Sequence, residues 1–188
     1  MGNYHVRFLG GKRGASPLPY PVANQMNINL KPINQNHREE IISIYNYYIE
    51  NSFAAYLENN VPLDFFDQFL KMCEGYPAIV AEDENGNIVG FGLLRAYHAF
   101  PAFARTAFIT YFIKSGFTGK GIGKLILEYL IKQGKEKGIT SILADISSLN
   151  LQSINFHKKN GFKECGRFEN VGVKNGKVFD IVYMQKKL

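Results

Sequence analysis

The chain has 188 residues, 46% of them apolar and 20% charged, and a formal net charge of +6. This is the balance of one globular domain with a sizeable core, and it excludes a disordered or fibrous chain. No apolar run reaches the roughly 20 residues of a membrane-spanning helix, and Cys73 and Cys165 lack metal-ligand spacing, so they read as packing thiols of a cytoplasmic protein.

Residues 1–25 hold Arg7, Lys12 and Arg13, no acid, and three prolines in their last nine positions. They read as a leader or flexible segment ahead of a domain spanning 26–188. Without them 19 basic residues face 16 acidic ones, a surplus too small to require nucleic acid and suited to a small polyanion. Met26 opens a strand, "MNINLKPI". "REEIISIYNYYIENS" then sets Ile41, Ile44, Tyr45 and Tyr48 on one helical face, and "PLDFFDQFLKMCEG" repeats the pattern up to Gly75. "PAIVAEDENGNIVGFGLLRAY" changes period and reads as two strands joined at Asn85-Gly86. "ARTAFITYFI" is a further strand, aromatic and β-branched.

Four glycines within the eight residues Gly116–Gly123 follow, and then a helix from about Gly119 to Lys137. Its apolar stripe is Ile122, Leu125, Ile126, Tyr129 and Leu130, and Gly138 stops it. "TSILADIS" is a short buried strand. "NLQSINFHKKNG" is a helix with Asn150 as N-cap, and two closing strands flank Asn175-Gly176. The order β, α, α, β, β, β, α, β, α, β, β gives an α/β (α+β) fold with a mixed sheet of about six or seven strands.

A glycine cluster opening a helix suits phosphate, because the first helical amides have no acceptor and carry the positive dipole end. The spacing fits neither known nucleotide pattern. Ile122 follows Gly116 and Gly121 where a P-loop needs Lys, and Gly119, Gly121 and Gly123 give G-x-G-x-G rather than a dinucleotide fingerprint. A plain strand-to-helix connector is the competing reading. The ordered set decides between them. A strand, "GFTGKGIGKLIL", a second strand and "NLQSINFHKKNGF" together resemble the GNAT N-acetyltransferase superfamily, and "IYNYYIENSFAAY" and "GVKNGKVFDIVYMQ" are similar to its phosphinothricin acetyltransferase branch.

That resemblance implies a mostly antiparallel sheet splayed between its fourth and fifth strands, acetyl-CoA as cosubstrate, and no metal. It implies that Tyr111, Phe112 and Ile113 bond pantetheine through their backbone. Thr118, Gly119, Lys120, Gly121, Ile122, Gly123 and Lys124 would hold the pyrophosphate, and Asn150 and Ser153 would meet the cofactor beyond the splay. A backbone amide on a bulged fourth strand would polarise the thioester, and His157 would protonate the departing thiolate. The acceptor would be a small amino-acid-like amine of the phosphinothricin or methionine-sulfone type. Its binding residues are expected to be Phe108 and, from their place at the end of the third strand, Tyr97 and Arg95, which would hold a carboxylate bidentately or else be a solvated loop arginine. The implied partners are this amine and a second copy in a homodimer, with no nucleic acid and no membrane. "YHAFPAF" would form a pocket lid or a dimer contact.

One departure stands out. The branch carries Glu two residues after a strand Thr, and Thr106 is followed there by Phe108. A water relay from Glu82 or Asp180 would replace the missing base, or the acceptor amine would already be sufficiently neutral. Otherwise the protein would be a CoA-binding sensor with little catalysis.

Overall fold

The computed structural model describes residues 27–188. The leader assigned to 1–25, and Met26 as a strand start, lie outside them. One seven-stranded sheet runs in the order β1-β2-β3-β4-β5-β7-β6. Its strands are β1 (Asn29–Pro32), β2 (Ala78–Glu82), β3 (Ile88–Ala96), β4 (Thr106–Ile113), β5 (Ser141–Ser147), β6 (Lys163–Lys174) and β7 (Lys177–Lys187). The helices are α1 (Arg38–Asn51), α2 (Phe66–Met72), α3 (Ile122–Glu136) and α4 (Leu151–Lys159). No helix among the described residues is long and apolar enough to cross a membrane.

Alternation along the strands sends side chains to two cores. On one face Phe91, Leu93 and Phe112 pack with Ile41, Phe66 and Phe69 of α1 and α2. On the other, Ile109, Ile142, Ala144 and Val182 pack with Ile122, Ile126, Leu127 and Leu130 of α3. Helix α3 lies close on β3 because Gly92 has no side chain: a Cβ there would sit 2.5 Å from Ile126 Cγ2. Both predicted hairpins form, with Gly86 at φ +81° in the first and Asn175 and Gly176 at φ +49° and +72° in the second. Positive φ at both Asn175 and Gly176 makes the second a two-residue type I′ turn.

Three details differ from the sequence reading. Helix α3 begins at Ile122, because Gly119 and Gly121 are left-handed, at φ +76° and +86°. Leu125 is exposed and Leu127 is buried in its place. Cys73 is buried, but Cys165 is exposed on the edge strand β6.

The decisive feature lies in the middle of the sheet. β4 and β5 are parallel and pair only over Thr106–Phe108 with Ser141–Leu143. β3 continues beside β4 up to Ile113, and β7 beside β5 up to Ser147. The inner edges of 109–113 and 144–147 therefore diverge, as expected. No bulge accompanies this: β4 keeps unbroken register with β3 from Ala107 to Ile113, which overturns the expected bulged strand.

A buried lysine ties the β6–β7 hairpin to the end of α1. Lys174 is 1% exposed and its Nζ donates to the carbonyls of Ile49, Ser52 and Ala55 at 2.6–2.8 Å. A cation at a helix C-terminus satisfies carbonyls that have no intrahelical donor. Lys174→Met should cost about 3 kcal/mol in urea unfolding, because three buried acceptors lose their donor together. An unchanged midpoint would show that water replaces the ammonium at no cost.

Candidate active site

The divergence of β4 and β5 opens a cavity of about 560 Å³ that reaches both faces of the sheet. On the α3–α4 face it is lined by Tyr111, Thr118, Gly119, Gly121, Gly123, Lys124, Asn150, Ser153, Phe156 and His157. On the α1–α2 face it is lined by Tyr48, Phe53, Tyr56, Arg95, Thr110 and Asp145.

The glycine loop forms the mouth. The first intrahelical bonds of α3 come from the amides of Lys124 and Leu125 to the Gly121 carbonyl, at 3.0 and 3.2 Å. The amides of Gly121, Ile122 and Gly123 precede them, so they are the free donors of a helix start. A Cβ on Gly119 or Gly121 would meet no protein atom within 4 Å. Packing does not require glycine at either position; the left-handed backbone does, and it leaves open space beside the amides. Ile122 has its side chain in the core, which reduces its part in the loop to its amide. Lys120 lies over the Phe117 ring at 4.8 Å and does not line the cavity.

Helix α4 supplies the second wall. The Asn150 side chain accepts from the Ser153 amide at 3.1 Å, the predicted N-cap. His157 is 3% exposed. Its Nδ1 lies 2.8 Å from the Ser153 carbonyl, and its Nε2 lies 2.9 Å from the Tyr111 hydroxyl. A carbonyl only accepts, so Nδ1 carries the proton and Nε2 accepts from Tyr111. Burial pushes the His157 pKa down, with the Ser153 bond acting against it. Burial also pushes the Tyr111 pKa up. The neutral forms of both are therefore favoured.

On the opposite face, Arg95 lies over the Phe108 ring at 4.4 Å, and its Nη2 is 3.7 Å from Asp145 Oδ1. Phe108 is buried beneath Arg95 and does not line the cavity. Tyr97 packs on Phe108 and Phe103, also outside the lining. Tyr97, Phe100 and Phe103 of "YHAFPAF" are exposed and contribute nothing to the cavity wall, so the lid reading has no support.

The two acids considered for a relay lie elsewhere. Glu82 pairs with Lys31 at 2.5 Å, where β1 meets β2. Asp180 on β7 accepts from the Asn170 amide at 2.9 Å and from Arg167 at 3.1 Å, bonds that hold its carboxyl below the usual range. Neither lines the cavity. Asp145 does, and the sequence reading missed it. Its signal was present: "SILADIS" is an apolar strand with one acid in it, and a charge in a half-buried strand needs a reason.

A parallel strand pair that parts midway, next to a helix start with free amides, is the frame of an acetyl-CoA site. The Acetyltransferase (GNAT) family matches residues 41–162. The chain belongs to that family. It is an N-acetyltransferase that takes its acetyl group from acetyl-CoA. An L-methionine sulfoximine/L-methionine sulfone acetyltransferase of Pseudomonas aeruginosa is 32% identical over 79% of this chain and 87% of that protein. An L-amino acid N-acyltransferase of Escherichia coli is 29% identical, again over 79% and 87%. The crystal structure of a GNAT superfamily phosphinothricin acetyltransferase from Sinorhizobium meliloti in complex with acetyl-CoA superposes with a TM-score of 0.82 at 27% identity. It covers 87% of this chain and 89% of that one. The GNAT chain fits the cosubstrate by its own features: the free amides, the open space at Gly119 and Gly121, and a gap between strands that reaches the sheet's other face.

Proposed function

We propose that the protein acetylates the amino group of a small α-amino-acid-like acceptor by direct transfer. Arg95 carries this reading. It lines the acceptor side of the cavity and is held on the Phe108 ring, so its guanidinium is already placed when a carboxylate arrives. Planar, fixed guanidinium groups recognise carboxylates bidentately. The named relatives are an acetyltransferase of methionine derivatives and an acyltransferase of L-amino acids, which agrees with such an acceptor.

The residues then divide the work. Gly119, Gly121 and the first α3 amides hold the pyrophosphate, with Thr118 and Lys124 beside them. Asn150 and Ser153 shape the α4 wall. Tyr111 supplies the proton that the departing thiolate needs by turning its O–H from His157 Nε2 to sulfur, and His157, fixed by Ser153, holds the Tyr111 side chain in place until then. His157 thus acts through Tyr111 rather than on the thiolate itself, which revises the role the sequence implied. Tyr48 donates to the Ile113 carbonyl at 2.6 Å and anchors α1 against the open end of β4.

The test is a panel of amines scored by CoA release: free amino acids, methionine sulfone and phosphinothricin analogues, polyamines and peptides. Amino acids with a free carboxylate should turn over best. Arg95→Met should raise their KM by about tenfold or more, the worth of one charge-assisted hydrogen bond. It should leave the KM of amines without a carboxylate little changed. No turnover on any amine, together with tight CoA binding, would instead make the protein a CoA sensor.

A further inference from the structure

Transfer to an amine needs two proton sites, one for the thiolate and one for the amine. Tyr111 and His157 lie on the α3–α4 face and serve sulfur. On the acceptor face Phe108 offers no proton acceptor. Among the described residues that line the cavity, Asp145 is the only carboxylate.

We propose that Asp145 is the proton acceptor for the substrate's ammonium group. This rests on the amine-acetylating function proposed above. Asp145 follows Ala144 and precedes Ile146, both packed on the α3 core, so strand alternation points it to the α1–α2 face. It lies two residues beyond Leu143, the last β5 residue paired with β4 and the partner of Phe108. Asp145 is therefore on the same sheet face as Phe108 and one step further into the gap. Its side chain is 26% exposed, enough to pass a proton on to water.

The surroundings suit a base. Arg95 approaches from β3, Tyr183 on β7 is the register partner of Asp145, and the Tyr56 hydroxyl comes from the α1–α2 loop and donates to the Asp145 backbone carbonyl at 3.0 Å. These are the charged or titratable groups around it. Burial lifts the Asp145 carboxyl above the usual carboxylate range, and the Arg95 charge pulls it partly back. At 3.7 Å Arg95 and Asp145 are adjacent but beyond hydrogen-bond distance, so from the cavity side each can take one end of a zwitterion, the carboxylate on Arg95 and the ammonium on Asp145.

The step balances as follows. The ammonium gives one proton to the Asp145 carboxylate. The freed lone pair forms the nitrogen–carbon bond to the acetyl carbon, and the carbon–sulfur bond breaks with its electron pair going to sulfur. Asp145 passes that first proton to water and, again a carboxylate, takes the second proton from nitrogen and releases it likewise; sulfur gains one proton from Tyr111, and Tyr111 is restored by a proton from solvent. One proton leaves the complex in net.

The sign of the pH dependence follows from the raised pKa. The active form is the carboxylate, which is lost as pH falls through that pKa. The kcat/KM profile should therefore drop on its acid side at a pH above the ordinary aspartate value of about 3.9. Asp145→Asn should remove this limb and lower kcat near pH 7 by about a hundredfold, as for the loss of a general base. The deficit should shrink toward the pKa of the acceptor amine, roughly 8 for an α-amino group. Acetyl-CoA affinity by calorimetry should stay unchanged.

A readout independent of turnover is the Asp145 carboxyl carbon, followed by NMR titration in the protein without acetyl-CoA. It should titrate above the ordinary range, and Arg95→Met should move it further up by removing the opposing charge. A titration at or below the ordinary value, or Asp145→Asn at near wild-type rate with the limb intact, overturns the proposal. Absence of turnover by the unaltered protein would overturn the amine-acetylating function instead, and the NMR titration would still decide Asp145.

Discussion

Gly121→Asp is expected to weaken acetyl-CoA binding by about a hundredfold or more, read by titration calorimetry. Two effects add. Gly121 sits at φ +86°, a left-handed conformation that costs most residues with a side chain about 1–2 kcal/mol. The new carboxylate would also extend into the open space beside the free amides, where no protein atom lies within 4 Å of a Cβ. A negative charge about 4 Å from a phosphate oxygen near a protein surface costs about 4 kcal/mol, which exceeds the strain. Gly121→Asn separates the two effects, since asparagine is nearly the same size and meets the same left-handed backbone with similar tolerance but carries no charge. It should keep most of the affinity that Asp loses. Equal loss in both variants would assign the loop to backbone shape alone, and no loss in either would make it a connector. The fold should survive both, because Gly121 touches nothing that the new side chain would displace.

The contrast within the same loop shows where sequence reading succeeds and where it stops. The glycine cluster, the helix after it and the strands on each side follow from local rules of turn chemistry and hydrophobic period, and the structure has them in the expected order. The early break of the β4–β5 pair was expected from family likeness, since no local pattern in "TYFI" or "ILADI" requires it. Side-chain partnerships across the sheet were the least legible. Tyr111 was assigned a backbone role, yet its hydroxyl meets a histidine 46 residues away. Asp145 and Arg95 come from strands that are not neighbours, and they meet across Phe108. Glu82 and Asp180 are acids the sequence offers for a relay, but their partners Lys31 and Arg167 become visible only once strand register is fixed. Contacts of this kind depend on strand order and face, which a linear pattern does not encode.

Tyr111→Phe is expected to lower kcat at saturating acetyl-CoA by about a hundredfold, the usual worth of a positioned acid, while acetyl-CoA affinity stays close to wild type. The phenyl ring keeps the packing against Phe156 and His157, so only the hydroxyl is lost. The loss leaves the buried Nε2 of His157 without its donor, which should cost about 1–3 kcal/mol of stability; the rates must therefore be compared below the unfolding transition. His157→Phe should reduce kcat less, because it frees the Tyr111 hydroxyl without removing it. The order of the two defects decides between the readings. If His157 gave its proton directly, His157→Phe would be the more damaging change. The geometry argues against that, since its one proton is engaged with the Ser153 carbonyl and its other nitrogen is an acceptor. A thioester with a more acidic thiol sharpens the comparison. Its thiolate departs with less need of a proton, so the Tyr111→Phe defect should narrow while the Asp145→Asn defect persists. A Tyr111→Phe defect of the same size with both thioesters would remove Tyr111 from the proton transfer and leave it a packing role.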